Sequence, residues 1–169
     1  MPKTPFDVAL LGNLTPEQFL AEYWQKKPLL IRQAWTQFPE LIDFARLAQF
    51  AQRDDVESRL IEFSHGRWKL ENGPFSQHRL NRLPATDWTI LVQNVNHLVP
   101  HIADFLYQFN FLPYTRLDDV MISYAPPAGQ WGRIMTRMTY FCCKLVAKSA
   151  GRFRVMMPRA LLKTPLFAS

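Results

Sequence analysis

Histidine does not occur after His101 in this chain of 169 residues, and aspartate and glutamate do not occur after Asp119. The segment beyond Asp119 therefore has no imidazole or carboxylate with which to hold a hard or borderline cation. Cysteine is confined to the adjacent pair Cys142–Cys143. Neighbouring cysteines match no metal-binding spacing, and nothing beside them marks a lowered thiol pKa. No apolar run approaches the ~20 residues that cross a bilayer as a helix. The opening "MPKTPFDVALLGNLTPEQ" lacks the charged, apolar and small-residue order of a signal peptide. These absences predict a cytoplasmic protein with no membrane partner.

What is present suits one domain with a buried core. Hydrophobic residues make up 48% and charged residues 20%, ordinary for a globular chain. The net charge of +6 would point to nucleic acid, but it is unevenly held. Residues 131–169 carry eight basic side chains (Arg133, Arg137, Lys144, Lys148, Arg152, Arg154, Arg159 and Lys163) and no acid. Residues 1–130 carry twelve basic and all fourteen acidic ones. Both cysteines and four of the six methionines also lie beyond residue 131. Composition changes at one point, and the basic character belongs to the tail alone.

Upstream of the break the pattern is that of an α+β domain. Thr15, Pro16 and Gln18 spell a capped helix start, and Phe19, Leu20, Tyr23 and Trp24 form one stripe of the helix that follows. "PLLIRQAW" predicts a strand over 28–35. "PELIDFARLAQFAQ" predicts an amphipathic helix with Leu41, Phe44, Leu47 and Phe50 inward. "ESRLIEFSHGRWKLENG" alternates about Gly66 as a hairpin. "DWTILVQNV" reads as a buried strand, "HLVPHIADFLYQFNFL" as a helix interrupted near Pro100, and "LDDVMISYAP" as a last strand.

Local chemistry in this part is thin. His97 and His101 have the spacing of a two-histidine metal pair, but no glutamate stands between them and no third ligand is near. Surface or capping roles account for both. His65 beside Gly66 reads as a turn residue. Trp24, Trp35, Trp68 and Trp88 read as core, because no basic residues interleave with them to make a stacking platform. Asp118 and Asp119 adjoin on a strand, so their side chains point apart and cannot form an acid pair. One of them can face a pocket.

Three stretches carry a family resemblance: "EYWQKKPLLIR" at 22–32, "DWTILVQNVNHLVP" at 87–100 and "RLDDVMISYAPPAG" at 116–129, with "VESRLI" and "GPF" between them. In this order, across residues 15–129, they resemble the bacterial ribosomal oxygenases of the JmjC type, within the cupin superfamily. The resemblance implies that residues 1–129 are the N-terminal helices and first strands of a JmjC/cupin double-stranded β-helix, with the barrel incomplete. It also implies an iron(II)- and 2-oxoglutarate-dependent dioxygenase that hydroxylates an arginine of a large-subunit ribosomal protein. Members of the family are homodimers, and the dimerisation region, like the winged-helix domain after it, is absent here.

The family pattern continues beyond this point with V-G-[PA]-H-x-D-x-Y-D-V-F-L-L-Q and then G-x-[KR]-[KR]-W. Its His and Asp join a later His in a facial triad that leaves iron positions open. The sequence as written, "GQWGRIMTRMTYFCCK", has none of it. Reading the gene one base earlier from about Gly129 restores it. Trp131–Gly132 must then give Gly, Met135–Thr136 and Met138–Thr139 must each give Asp, and Phe141–Cys142 and Cys142–Cys143 must each give Leu, whatever the codons. Gln130–Trp131 gives Val or Met, Gly132–Arg133 permits Ala or Pro, Arg133–Ile134 permits His, and Val146 to Gly151 permits G-K-K-R-W. The missing His straddles Arg133 and Ile134, and the missing Asp straddles Met135 and Thr136.

Residues 130–169 are therefore expected to be an out-of-frame, non-native basic tail, through a pseudogene, phase variation or a sequencing error. No catalytic residue is intact, no residue is assigned to a metal, and neither iron(II) nor 2-oxoglutarate is expected to bind. The resemblance leaves Asp118, Asp119, Met121 and Ser123, on the strand that leads into the lost site, as candidates for the substrate side. A barrel cut here leaves strand edges open and apolar faces uncovered. The competing class is a non-enzymatic interaction or nucleic-acid-binding protein that uses the tail, whose eight basic charges support weak, salt-dependent phosphate contact. "FCCKLVA" and "VMMPRALL" are apolar for a solvated arm, which makes nucleic acid the less favoured partner.

Overall fold

The computed structural model describes residues 10–32, 34 and 41–126 in full, and residues 139–146 and 152–159 as backbone strands. Helix α1 (Pro16–Glu22) starts as its sequence requires. The Thr15 hydroxyl accepts from Gln18 N–H, the Gln18 side chain accepts from Thr15 N–H, and Pro16 fills the first turn. Helix α2 (Phe44–Phe50) is capped by Asp43, whose carboxylate accepts from Arg46 N–H at 2.7 Å. That cap places the start of α2 later than the amphipathic pattern alone. The strand expected at 28–35 is not seen among the described residues: residues 28–31 have no regular structure, and positions 33 and 35 lie outside the described residues.

Strands β1 (Ser58–Ser64) and β2 (Arg67–Asn72) make the expected hairpin. His65 and Gly66 at its tip have φ of 51° and 75°, the two left-handed positions of a type I′ turn, whose twist suits a two-residue loop. Helix α3 (Gln77–Asn81) follows, capped by Ser76. Its Arg79 holds Glu71 at 3.1 Å and also binds Glu62, fastening the helix to the hairpin. Strand β3 (Trp88–Val92) is buried throughout. Helices α4 (Val95–Leu98) and α5 (Pro100–Leu106) are the two halves of one helical pattern, parted at Val99 because Pro100 has no N–H to continue it. Strand β4 (Met121–Ala125) comes next, then β5 (Thr139–Val146) and β6 (Arg152–Arg159).

All six strands lie in one antiparallel sheet of order β2-β1-β3-β4-β6-β5. One face carries Leu60, Trp88, Ile90, Val92 and Ile122 against α2, α4 and α5, where Leu47, Phe50, Val95, Ile102, Phe105 and Phe109 complete the core. Phe44, Trp88 and Tyr124 form a ring cluster with centroids 4.5–5.8 Å apart, joining α2 to β3 and β4. Of the tryptophans expected in the core, Trp88 is buried. Trp24 is only half-buried, and Trp68 is 47% exposed on the outer strand. Trp35 lies outside the described residues. Among the described residues no helix is long and apolar enough to cross a membrane.

The layers are knotted together beside Gly73. Ser58 Oγ donates to Ala51 C=O at the end of α2, Gly73 N–H donates to Ser58 C=O, and Phe75 N–H donates to Ala51 C=O. A Cβ at Gly73 would collide with Ser58 Oγ and press on Ala51 O and Phe75. Gly73→Ala is therefore expected to destabilise the hairpin against α2 by about 1–3 kcal/mol. Hydrogen exchange checks this: β1 and β2 amides should exchange at least several-fold faster in the variant, and unchanged protection would refute the steric account.

Candidate functional site

Strand β4 divides its side chains by alternation. Ile122 and Tyr124 point to the helical core, while Met121 and Ser123 point to the opposite face of the sheet. There Leu91 and Met121 are buried together, with Ile61 packed against them. Ser123 is fully buried and lies opposite Leu91 on one side and Arg154 of β6 on the other. Thr89 completes this surface on β3.

Asp118 and Asp119 behave as different residues. The strand begins at Met121, later than the sequence pattern, so both precede it, outside regular structure. Asp118 is exposed, whereas Asp119 is buried and its Oδ2 accepts from Asn94 N–H at 2.9 Å. Burial pushes the Asp119 carboxyl above the ordinary aspartate range, the Asn94 N–H opposes that shift, and the nearby charges of Asp118 and Glu57 add to it. The structure thus brings Asp119, Met121 and Ser123 toward one region of the sheet and leaves Asp118 in solvent.

Sequence reasoning missed the parts that hold this region in place. Asn94 sits at φ 55° before α4, a conformation asparagine tolerates. Asn96 Oδ1 accepts from Val120 N–H at 2.8 Å, and Val95 N–H donates to Val120 C=O at 2.9 Å. Thr89 Oγ1 and Gln93 Oε1 are buried oxygens without a hydrogen-bond partner among the described residues. The asparagines flanking Val95 were the available signal, since asparagine marks turns.

The donor set does not fit a metal centre of two histidines and one carboxylate. His65 is in the hairpin turn, His78 on α3, His97 on α4 and His101 on α5. A ring nitrogen of His101 lies 2.5 Å from Leu41 C=O, an engagement that ties α5 to the start of α2. Among the described residues no three His, Cys, Asp or Glu side chains converge. Cys142 and Cys143 are on β5, whose side chains lie outside the described residues.

A helical layer packed on one open antiparallel sheet, with a second buried patch on the opposite face, defines a mixed α+β domain of the incomplete JmjC/cupin type. No protein-family model matches the chain. It is 38% identical over 128 residues to a probable ribosomal oxygenase from Haemophilus influenzae, covering 75% of this chain and 31% of that protein. It is 34% identical over 136 residues to the ribosomal protein uL16 3-hydroxylase of Escherichia coli, covering 80% of this chain and 35% of that protein. Its structure is similar to that of YcfD, a ribosomal oxygenase from Escherichia coli in complex with cobalt and 2-oxoglutarate. The TM-score is 0.73 and the identity 26%, over 88% of this chain and 49% of that one. The chain is similar to the bacterial ribosomal oxygenases, and it spans about a third of the length of the curated relatives it matches.

Asp119 supplies a stability test. Because its folded-state pKa is raised, its contribution is fully favourable below the unfolded pKa of about 4 and is lost as pH rises through the folded value. Asp119→Asn keeps an oxygen for Asn94 N–H and removes the buried charge. It should be at least as stable as the parent chain near neutral pH and should lose the gain the parent shows on mild acidification. Asp119→Ala leaves Asn94 N–H unpaired and should cost about 1–3 kcal/mol. Thermal midpoints across pH for the three chains decide the matter; identical pH profiles would refute the assignment.

Proposed function

We propose that the chain is a fragment of an iron(II)- and 2-oxoglutarate-dependent oxygenase whose parent hydroxylates an arginine of a large-subunit ribosomal protein, and that as it stands it lacks this activity. The parent's reaction class rests on relatives described as ribosomal oxygenase and ribosomal protein uL16 3-hydroxylase, and on a structural neighbour bound to cobalt and 2-oxoglutarate. The loss of activity rests on one observation. The metal-binding line V-G-A-H-x-D-x-Y-D-V-F-L-L-Q is recovered from Gln130 to Lys144 only in the neighbouring reading frame, with its Gly, both Asp and both Leu forced by the code.

On this reading residues 1–129 are native family sequence and residues 130–169 are not. Asp119, Met121 and Ser123 keep their place beside a site whose His and Asp ligands are no longer encoded, and Asp118 stands outside it. What remains can present a substrate-side surface, but it has no donor set to bring iron, cosubstrate and oxygen together. The domain's own location is proposed to be the cytoplasm, with the ribosomal protein as the parent's partner.

Two measurements test the proposal. The purified chain, supplied with iron(II), ascorbate, 2-oxoglutarate and a ribosomal-protein peptide, should form no succinate above a metal-free control; turnover above that control would overturn the inactivity. The nucleotide sequence around codons 125–133 should show a one-base slip followed by an open frame encoding a second metal histidine. An intact frame with the same tail in related strains would instead favour a tail selected for binding.

A further inference from the structure

Strand β2 is the outer strand of the sheet, with β1 on one side and, among the described residues, no strand on the other. Every residue of it is exposed except half-buried Glu71. Trp68 and Leu70, 47% and 60% exposed, project from the same face as Phe63 and Ile61, which lie directly opposite them on β1. An edge strand with free main-chain groups and exposed large apolar side chains is a template for pairing.

The hydrogen bonds inside the sheet determine which main-chain groups are free. Gly73 N–H donates to Ser58 C=O at 2.9 Å, so Gly73 turns its main chain to β1, and by alternation Glu71 and Lys69 do the same. Phe63, opposite Trp68, turns to β3 instead and donates its N–H to Asp87 C=O at 2.8 Å. Trp68, Leu70 and Asn72 therefore direct their N–H and C=O groups outward.

We propose that β2 pairs antiparallel with β2 of a second copy of this chain, about a two-fold axis at Leu70, to give a homodimer with one continuous sheet. An isologous contact pairs the strand with itself, so the residue on the axis determines every other pair. With Leu70 on the axis, Leu70 meets Leu70 of the second copy and Trp68 meets Asn72, which joins all the outward main-chain groups. On the other face Lys69 meets Glu71 of the second copy, and Glu71 meets its Lys69. These cross-strand neighbours are one apolar pair, two tryptophan–asparagine pairs and two pairs of opposite charge.

The neighbouring registers fail on both counts. An axis at Lys69 sets lysine against lysine and leaves Asn72 opposite the hairpin turn, and an axis at Glu71 sets glutamate against glutamate and leaves Trp68 opposite Pro74, which has no N–H. Lysine on an edge ordinarily discourages pairing, but here each Lys69 is met by a carboxylate. Arg79 holds that carboxylate in place, with its Nε 3.2 Å from both Glu71 oxygens. The pairing uses only residues 67–72 and is independent of the reading frame of the tail and of any dimerisation region downstream.

Sedimentation velocity of the full chain across micromolar concentrations tests it, with circular dichroism confirming that each variant folds. The parent chain should show a monomer–dimer equilibrium. Lys69→Glu should weaken it by about tenfold at low salt, because two attractive pairs become repulsive. Leu70→Pro removes an outward N–H but no bond to β1, and should leave only monomer. With Cys142→Ser and Cys143→Ser in place, Leu70→Cys should be cross-linked to a dimer by a short bismaleimide, while Asp104→Cys on α5 should not. A chain that stays monomeric would overturn the proposal. So would a dimer indifferent to Lys69→Glu and Leu70→Pro, or equal cross-linking from both cysteines.

Discussion

The position of β4 depends on a clasp between the 94–96 turn and residues 119–120. Asp119 takes the Asn94 N–H, Asn96 takes the Val120 N–H, and Val95 donates to the Val120 carbonyl. The ladder between β3 and β4 covers only Ile90–Tyr124, Leu91–Ser123 and Val92–Ile122. So short a ladder leaves register to whatever holds its end. A slip of one residue would turn Met121 and Ser123 toward the helices and drive Ile122 and Tyr124 to the other face. The face of the sheet that Met121 and Ser123 take is thus held by two asparagines and an aspartate in the turn beside them.

The helical layer and the sheet meet through large side chains rather than polar links. Phe105 and Phe109 are buried edge to face, and the Phe44–Trp88–Tyr124 cluster spans the interface. Polar fastening is concentrated where elements change direction, at Gly73 and Ser58, at Arg79 and its two glutamates, and at His101 against Leu41. Between those points the domain relies on apolar burial between the helical layer and one face of the sheet.

Much of the fold was legible because its signals are local. The capping box at Thr15–Gln18, the hairpin about Gly66, the buried run of β3 and the break at Pro100 follow from rules that span a few residues. The strand expected at 28–35 was not there to be found. Leu29, Leu30 and Ile31 favour a strand, but propensity needs a neighbour to pair with, and among the described residues these have none. Trp68 was misplaced for a related reason: alternation tells which face a side chain takes, not whether that face is covered. Met121 and Ser123 were candidates through the family resemblance, and the structure puts them on the sheet face away from the helices. The clasp, with partners about 25 residues apart, and the unpaired oxygens of Thr89 and Gln93 carry no periodic signal at all.

The pairing of β4 with β6 has a further meaning. From Met121–Met156 to Ala125–Arg152 the two strands are joined through main-chain atoms, which are the same in every residue but proline. A ladder of that kind is indifferent to side-chain identity, provided the strand is extended and free of an ill-placed proline. Catalysis depends on the identity of a few side chains, while architecture depends on a repeat common to all of them. In such a sheet the two can part company over a gene's history.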